Sequence, residues 1–387
     1  MTMATKQEIL RDKLAEYLQA DREEKSRILD HLQAVSKLHR KAIIRRLKRL
    51  QSGHTPDSER RGRKEIYHLR VTIALKDIWQ TANGICAERL QPAIADYVKV
   101  LRRDKMWRHN EETTKLLLAM SLGTMKNRVA AFTKIRSGPG WSTTKPSSLK
   151  EIIPIRRGSW QNPDPGQGEV DTVAHCGSSL RGDYAYSVQY TDVATIWTGL
   201  SAQWNKGEKA TRESLERIKR RFPLTLLGID PDSGGEFINY LIKDWCDTQT
   251  PSIVMTRIRP YHKNDHARIE QKNYVNIRQF LGYARLDDPR QVKLMNELYD
   301  CLEDYINFFL PSVKCLKKER TGSKYRRVYD QAQTAYQRVL AHEKIATAVK
   351  TQLQAKYATL NPRILKRKID ALIRKIFTKS KTDYGNT

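Results

Sequence analysis

No two of the five cysteines, Cys86, Cys176, Cys246, Cys301 and Cys315, form a CxxC pair. An odd, scattered set argues against a disulfide framework and a cysteine-based zinc module. It is expected of reduced thiols in a cytosolic protein, packed as small hydrophobes. No apolar run approaches the roughly 18 residues that a membrane-spanning helix needs. The opening stretch, MTMATKQEILRDKLAEYLQADREEK, carries charges throughout and lacks the apolar core of a secretory signal. Acids are scarce as well. There are 43 Asp+Glu against 71 Lys+Arg, a formal net charge of +28. Such an excess predicts a polyanionic partner, because each neutralised phosphate releases a condensed counterion. The chain has 387 residues, too many for one ordinary core, so several domains are expected.

Helical spacing runs over residues 6–20 and 22–35, with Ile9, Leu10, Leu14, Leu18, Ile28, Leu29 and Leu32 as the apolar positions. A break at Ala34–Ser36 leads into KLHRKAIIRRLKRL, which holds seven Lys/Arg and no acid. Ala42, Ile43, Leu47 and Leu50 form an inward stripe that leaves Lys37, Arg40, Lys41, Arg45 and Lys48 outside. This pattern fits a helix-turn-helix whose last helix enters a major groove, and it equally fits a solvated amphipathic helix in a plain bundle. Residues 54–67, with RRGRK, read as a basic linker or a minor-groove arm. From 68 to 104 the helical period returns, with Trp79 as a core candidate. KLLLAMSLGTMKNRVAAF then offers a second helix-turn-helix, with its turn near Ser121–Gly123 and Lys126 and Arg128 on the following helix. Residues 136–168, rich in proline and glycine, read as a connector.

At Gly168 the period changes to two. Glu169, Asp171 and Val173 share one face of a strand, and Val170, Thr172 and Ala174 the other. Residues 183–193 and 196–204 read as two further strands. A helix (206–221), a strand LTLLGI, a helix GEFINYLIKDWC, a strand SIVMTR and a helix over 266–284 follow. A crossover that returns LTLLGI beside the first strand brings Asp232, just past its end, next to Asp171. Asp230 is the alternative carboxylate at that position. On the last helix Tyr274, Ile277, Leu281 and Ala284 extend an apolar stripe that includes Glu270, and a carboxylate there is costly unless it is paired or binds a metal. Arg268 and Lys272 lie on an adjacent polar stripe. Carboxylates without a nearby His or Cys pair suit Mg²⁺ or Mn²⁺, and two such ions serve in-line displacement at phosphorus. His175, Cys176, His262 and His266 lack zinc spacing.

Together DTVAHCG, DPDSGGEF and RPYHKNDHARIEQKN resemble the integrase core of DDE transposases from bacterial insertion sequences, which are similar to retroviral integrases. The resemblance covers residues 165–290, and FFLPSVK at 308–314 fits it as well. It implies a ribonuclease-H-like α/β core in which Asp171, Asp232 and Glu270 are the catalytic metal ligands. Thirty-seven residues separate Asp232 from Glu270, close to the family interval. Ser233 stands where the family pattern has Asn, and no His-His-Cys-Cys set precedes the core.

The expected architecture is multidomain. Residues 1–54 and 63–135 are helical with helix-turn-helix candidates, 136–164 connect, 165–290 are the ribonuclease-H-like catalytic core, and 291–387 are a basic, mainly helical C-terminal region. In the last, KCLKKERTGSKYRRVYD is expected as a phosphate-binding strand or loop or a solvated connector, with Lys317 and Lys318 as contacts; Lys263 is a further DNA-contact candidate. Asn361-Pro362 starts a helix whose Ile364, Leu372, Ile373 and Ile376 need a partner surface, in this chain or a second copy. The expected function is DNA cleavage and strand transfer at element ends by a cytoplasmic, nucleoid-associated homo-oligomer on double-stranded DNA. The other readings are a catalytically inactive DNA-binding regulator and a structure-specific nuclease.

Overall fold

In the computed structural model the described residues are 3–52, 66–132, 163–231, 234–257, 272–321 and 324–379. They group into two compact units, Met1–Ile66 and Tyr67–Thr387.

The first unit contains α1 (Met3–Asp12), α2 (Leu14–Gln19), α3 (Arg22–Ser36) and α4 (Arg40–Gln51). Asp21 caps α3 by accepting from the Glu24 amide at 2.8 Å. Lys37 ends α3 in the left-handed conformation, with φ 58°. The break therefore falls one residue beyond the expected Ala34–Ser36. Leu10, Ile28, Leu29, Leu32, Ile43 and Leu47 form the buried core. Ile43 and Leu47 on α4 are spaced one turn apart, so the inward stripe is as expected.

The second unit opens with α5 (Leu69–Thr81), α6 (Ala87–Leu90), α7 (Ile94–Arg103), α8 (Glu111–Leu118) and α9 (Leu122–Phe132). The α8–α9 turn lies at Ala119–Ser121, and Gly123 is already inside α9, against expectation. Ser121 explains the shift. Its carbonyl accepts from Met125 N at 3.0 Å, and its hydroxyl bonds that of Thr124 at 3.0 Å.

A five-stranded mixed sheet follows. Its strands are β1 (Gln167–Ala174), β2 (Ala185–Asp192), β3 (Thr198–Trp204), β4 (Gly228–Pro231) and β5 (Val254–Met255), in the order β3-β2-β1-β4-β5. β1–β2 and β2–β3 are antiparallel; β1–β4 and β4–β5 are parallel. β4 starts later than the LTLLGI pattern predicts, so Asp230 lies within the strand. The helices α10 (Glu208–Arg221) and α11 (Tyr240–Asp247) connect β3 to β4 and β4 to β5. Close approach to β2 demands glycine in β1. A Cβ on Gly168 would stand 2.4 Å from the Tyr190 ring and 2.6 Å from the Thr191 carbonyl oxygen.

Residues 272–281 are helical, with a π-turn over Tyr274–Arg278. The π-turn inserts an extra residue and shifts the apolar phase. Ile277, Phe280 and Leu281 are buried, while Tyr274 and Ala284 are exposed, so the stripe drawn through those last two is corrected. The helix ends at Leu281, before Gly282 with φ 66°.

Helix α12 (Pro289–Phe309) packs along β3, and α13 (Ala335–Ala341), α14 (Thr347–Thr359) and α15 (Pro362–Lys379) complete the unit. Asn361 caps α15 by accepting from the Arg363 amide at 2.9 Å. Leu365, Ile369 and Ile376 bury against the same core as α5 and α12, so the partner of α15 lies in this chain; Ile364 remains exposed. Between α12 and α13, β6 (Cys315–Thr321) and β7 (Lys324–Tyr329) form an antiparallel two-stranded ribbon. All five thiols are free, and Cys86 is exposed, unlike the buried Cys176 and Cys246. Among the described residues no helix is long and apolar enough to cross a membrane.

Candidate active site

Strand alternation puts Glu169, Asp171, Val173 and His175 on one face of β1. That face lies under residues 272–281 and α12. Asp171 is half-buried. Its Oδ1 accepts from the Thr172 amide at 2.7 Å, and its Oδ2 from Asn273 Nδ2 at 2.6 Å. The other amide atom of Asn273, Oδ1, is buried with no hydrogen-bond partner among the described residues. An ionised carboxylate beside an orphaned carbonyl oxygen is a hard, oxygen-only donor set. It fits Mg²⁺ or Mn²⁺ and suits a soft metal poorly. Among the described residues no group of three His, Cys, Asp or Glu is placed to hold a metal ion. Asp232 and Glu270 lie outside the described residues, as do Ser233, His262, His266, Lys263 and Arg268.

Asp230 is fully buried in β4, in register with the buried Glu169, and accepts from Thr256 Oγ1 at 2.6 Å. It sits deeper in the sheet than a strand-end ligand. His175 is also fully buried; Nε2 meets Ser187 Oγ at 2.7 Å, and Ser187 in turn bonds Tyr299. Burial pushes the imidazole pKa down to about 3, with the Arg278 guanidinium adding to the shift. Asp192, at the far end of β2, accepts from Gly166 N and Thr195 N, each at 2.7 Å, and so holds the turn into β3.

Two residues of the site had no assigned part in the sequence reading. Asn273 closes the EQKN text, three positions after Glu270. Glu236, in the GGEF text, is buried behind β1, where it accepts from Thr172 Oγ1 at 3.0 Å and pairs with Lys206 at 2.7 Å. It braces the residue next to Asp171 from the opposite face.

The basic candidates divide into those that stay exposed and those that are used internally. Lys37, Lys41 and Arg45 are exposed on and before α4, whereas Arg40 bonds Asp30 and Ser26 on α3. Lys126 pairs with Glu88 at 2.8 Å, and Arg128 donates to the Tyr67 carbonyl at 2.6 Å. Lys272 is half-buried; burial, then the nearby Arg89 and Arg338, hold its pKa down to about 7. Lys317 is exposed on the ribbon, 2.5 Å from Glu319, and the side chain of Lys318 lies outside the description.

No protein-family model matches the chain. A protein of Sinorhizobium fredii named "Uncharacterized protein y4rM" is 32% identical over 326 residues, spanning 84% of this chain and 92% of that one. The catalytic core domain of BIV integrase aligns with 50% of this chain and 99% of its own length, at 12% identity and a TM-score of 0.29. That likeness is too slight to carry an argument.

Proposed function

We propose, for a chain that belongs to the family of the Sinorhizobium fredii protein y4rM, that it is a DDE-type polynucleotidyl transferase cutting and joining DNA at the ends of an insertion sequence. One observation carries the reading. β1 and β4 run parallel, their last described pair is Val170 with Pro231, and Asp171 and Asp232 each follow by one residue. Glu270 precedes Asn273 by three positions in the sequence, and Asn273 already holds Asp171. The strand order supports a ribonuclease-H-like core.

Asp171, Asp232 and Glu270 would hold Mg²⁺ or Mn²⁺, which when bound lowers the pKa of a nucleophile and stabilises charge on a leaving oxygen. The chain's own part is placement. Asn273 and the Thr172 amide fix both oxygens of Asp171, while the brace from Glu236 and Lys206 holds β1 from behind. Water cleaves the phosphodiester at the element end and frees a 3′-hydroxyl, which then attacks a target phosphodiester. The exposed cations of α4 would take the end duplex, and joining two ends calls for at least two copies of the chain.

The test is Asp171→Asn, assayed with labelled element ends and a target plasmid. The variant is expected to bind ends as the wild type does, with Mg²⁺-dependent cleavage and strand transfer reduced to background. Undiminished strand transfer would refute the assignment. Cutting without joining by the wild type would identify a nuclease, and binding without any chemistry a regulator.

A further inference from the structure

We infer that the Tyr67–Thr387 unit carries a second DNA site, a cationic groove that takes an unpaired strand leading to the Asp171 site. The inference rests on the reading of the chain as a DNA-acting protein. Two adjoining cavities, of about 780 Å³ and 1060 Å³, share Asp77, Gln80, Arg363 and Arg367 in their walls. Their walls come from α5, the turn after α7, residues 274–283 and α15.

Charge in the groove is one-sided. Its two carboxylates are already used: Asp77 meets Arg363 at 2.7 Å and His109 at 3.3 Å, and Asp370 bonds Lys366. Lys76, Lys105, Arg108 and Arg367 are left, all exposed and without an ion pair among the described residues. Four uncompensated cations around one concavity repel each other and lower the cost of receiving a polyanion.

Aromatic exposure favours an unpaired strand over a duplex. Tyr274 is 52% exposed and Tyr283 39% exposed, and both line the larger cavity. The Arg278 guanidinium lies 4.8 Å from the Tyr283 ring centroid, a platform on which a base can stack. A duplex hides its base faces, leaves these rings unused and is taken by α4 instead; an unpaired strand engages cations and rings together. Chain continuity links the groove to the candidate active site. Asn273 touches Asp171, and the next residue, Tyr274, lines the groove.

The full chain in EDTA is titrated with a fluorescent oligothymidylate of about twelve nucleotides, and with end duplex, across a range of salt. Lys76→Ala with Arg367→Ala should weaken oligothymidylate binding and reduce the slope of log affinity against log salt by about 1.4, at about 0.7 per phosphate. Tyr274→Ala should weaken it with the slope unchanged, and duplex affinity should stay within about twofold in both variants. Oligothymidylate affinity and slope that match the wild type in both variants would overturn the proposal, as would equal losses for duplex and single strand. Thermal melting of each variant separates a folding defect from a binding defect. Because this assay contains no divalent metal, its failure leaves the Asp171→Asn test standing, and the reverse holds equally.

Discussion

His175 stores a pH dependence that no exposed histidine would have. The folded chain keeps its imidazole neutral down to about pH 3, while the unfolded chain takes up a proton near the ordinary 6.5. Between those values the unfolded state binds more protons, so stability is complete above 6.5 and falls as pH drops towards 3. At about 1.4 kcal/mol per unit, the ceiling is roughly 4 to 5 kcal/mol. Urea midpoints measured between pH 7.5 and 4 should fall in the wild type and fall less in His175→Gln; parallel curves would refute this account. His175 was visible in DTVAHCG, but its burial was not, because a histidine beside a strand carboxylate reads equally well as a surface group. The strand face of Asp171 was legible from alternation, while its part as a metal ligand came from the family resemblance. Asn273 was not legible, since an amide on a helix ordinarily reads as solvated and only the fold turns it towards β1.

Helix α12 shows why polar residues on an amphipathic element can mislead. Asn296, Glu303 and Asn307 are about two and three turns apart, and all face the edge strand β3. Asn307 accepts from Thr198 N and donates to Thr198 O, both at 2.8 Å, and Asn296 does the same for Ala202 at 2.9 and 3.0 Å. Glu303 accepts from Leu200 N and pairs with Arg221, which donates to the Leu200 carbonyl. Four side chains, Arg221 of α10 with the three of α12, thus do the hydrogen bonding of a sixth strand, and the edge presents little free backbone to a foreign one. Asn307→Ala orphans a donor and an acceptor and should cost about 2 to 4 kcal/mol, with faster hydrogen exchange at the Thr198 amide; an unchanged exchange rate there would count against it. That a helix stands here follows from the mainly helical reading of 291–387. Its role at the edge does not, because the sequence does not say which strand lacks a neighbour. Similarly, the π-turn at Tyr274–Arg278 interrupts a period that looked continuous through Ala284.

At the scale of the whole chain, two separate cores imply two melting events. The Met1–Ile66 helices bury Leu10, Leu32, Ile43 and Leu47 among themselves, whereas Val71 to Ile376 share one cluster. Calorimetry of the full chain should resolve two transitions, and Leu32→Ala should lower only one of them. A single cooperative transition that moves with Leu32→Ala would contradict it. The helical, sheet and C-terminal stretches from residue 63 onward read as successive segments, yet their apolar residues meet in one core. Sequence periodicity identifies the faces of elements but not which distant face each will cover.

That shared core carries a consequence for synthesis. Gln291 on α12 donates to the Ile376 carbonyl of α15 at 3.1 Å, so the helix that closes the sheet edge is itself backed by the last described helix. Roughly 200 residues must be translated after Asp171 before that backing exists, about 10 to 40 s at ordinary rates of elongation. During that interval the nascent chain already displays its basic amino-terminal helices while the sheet edge lacks its full support. The edge of the sheet therefore gains its second layer only near the end of synthesis, when α15 has emerged.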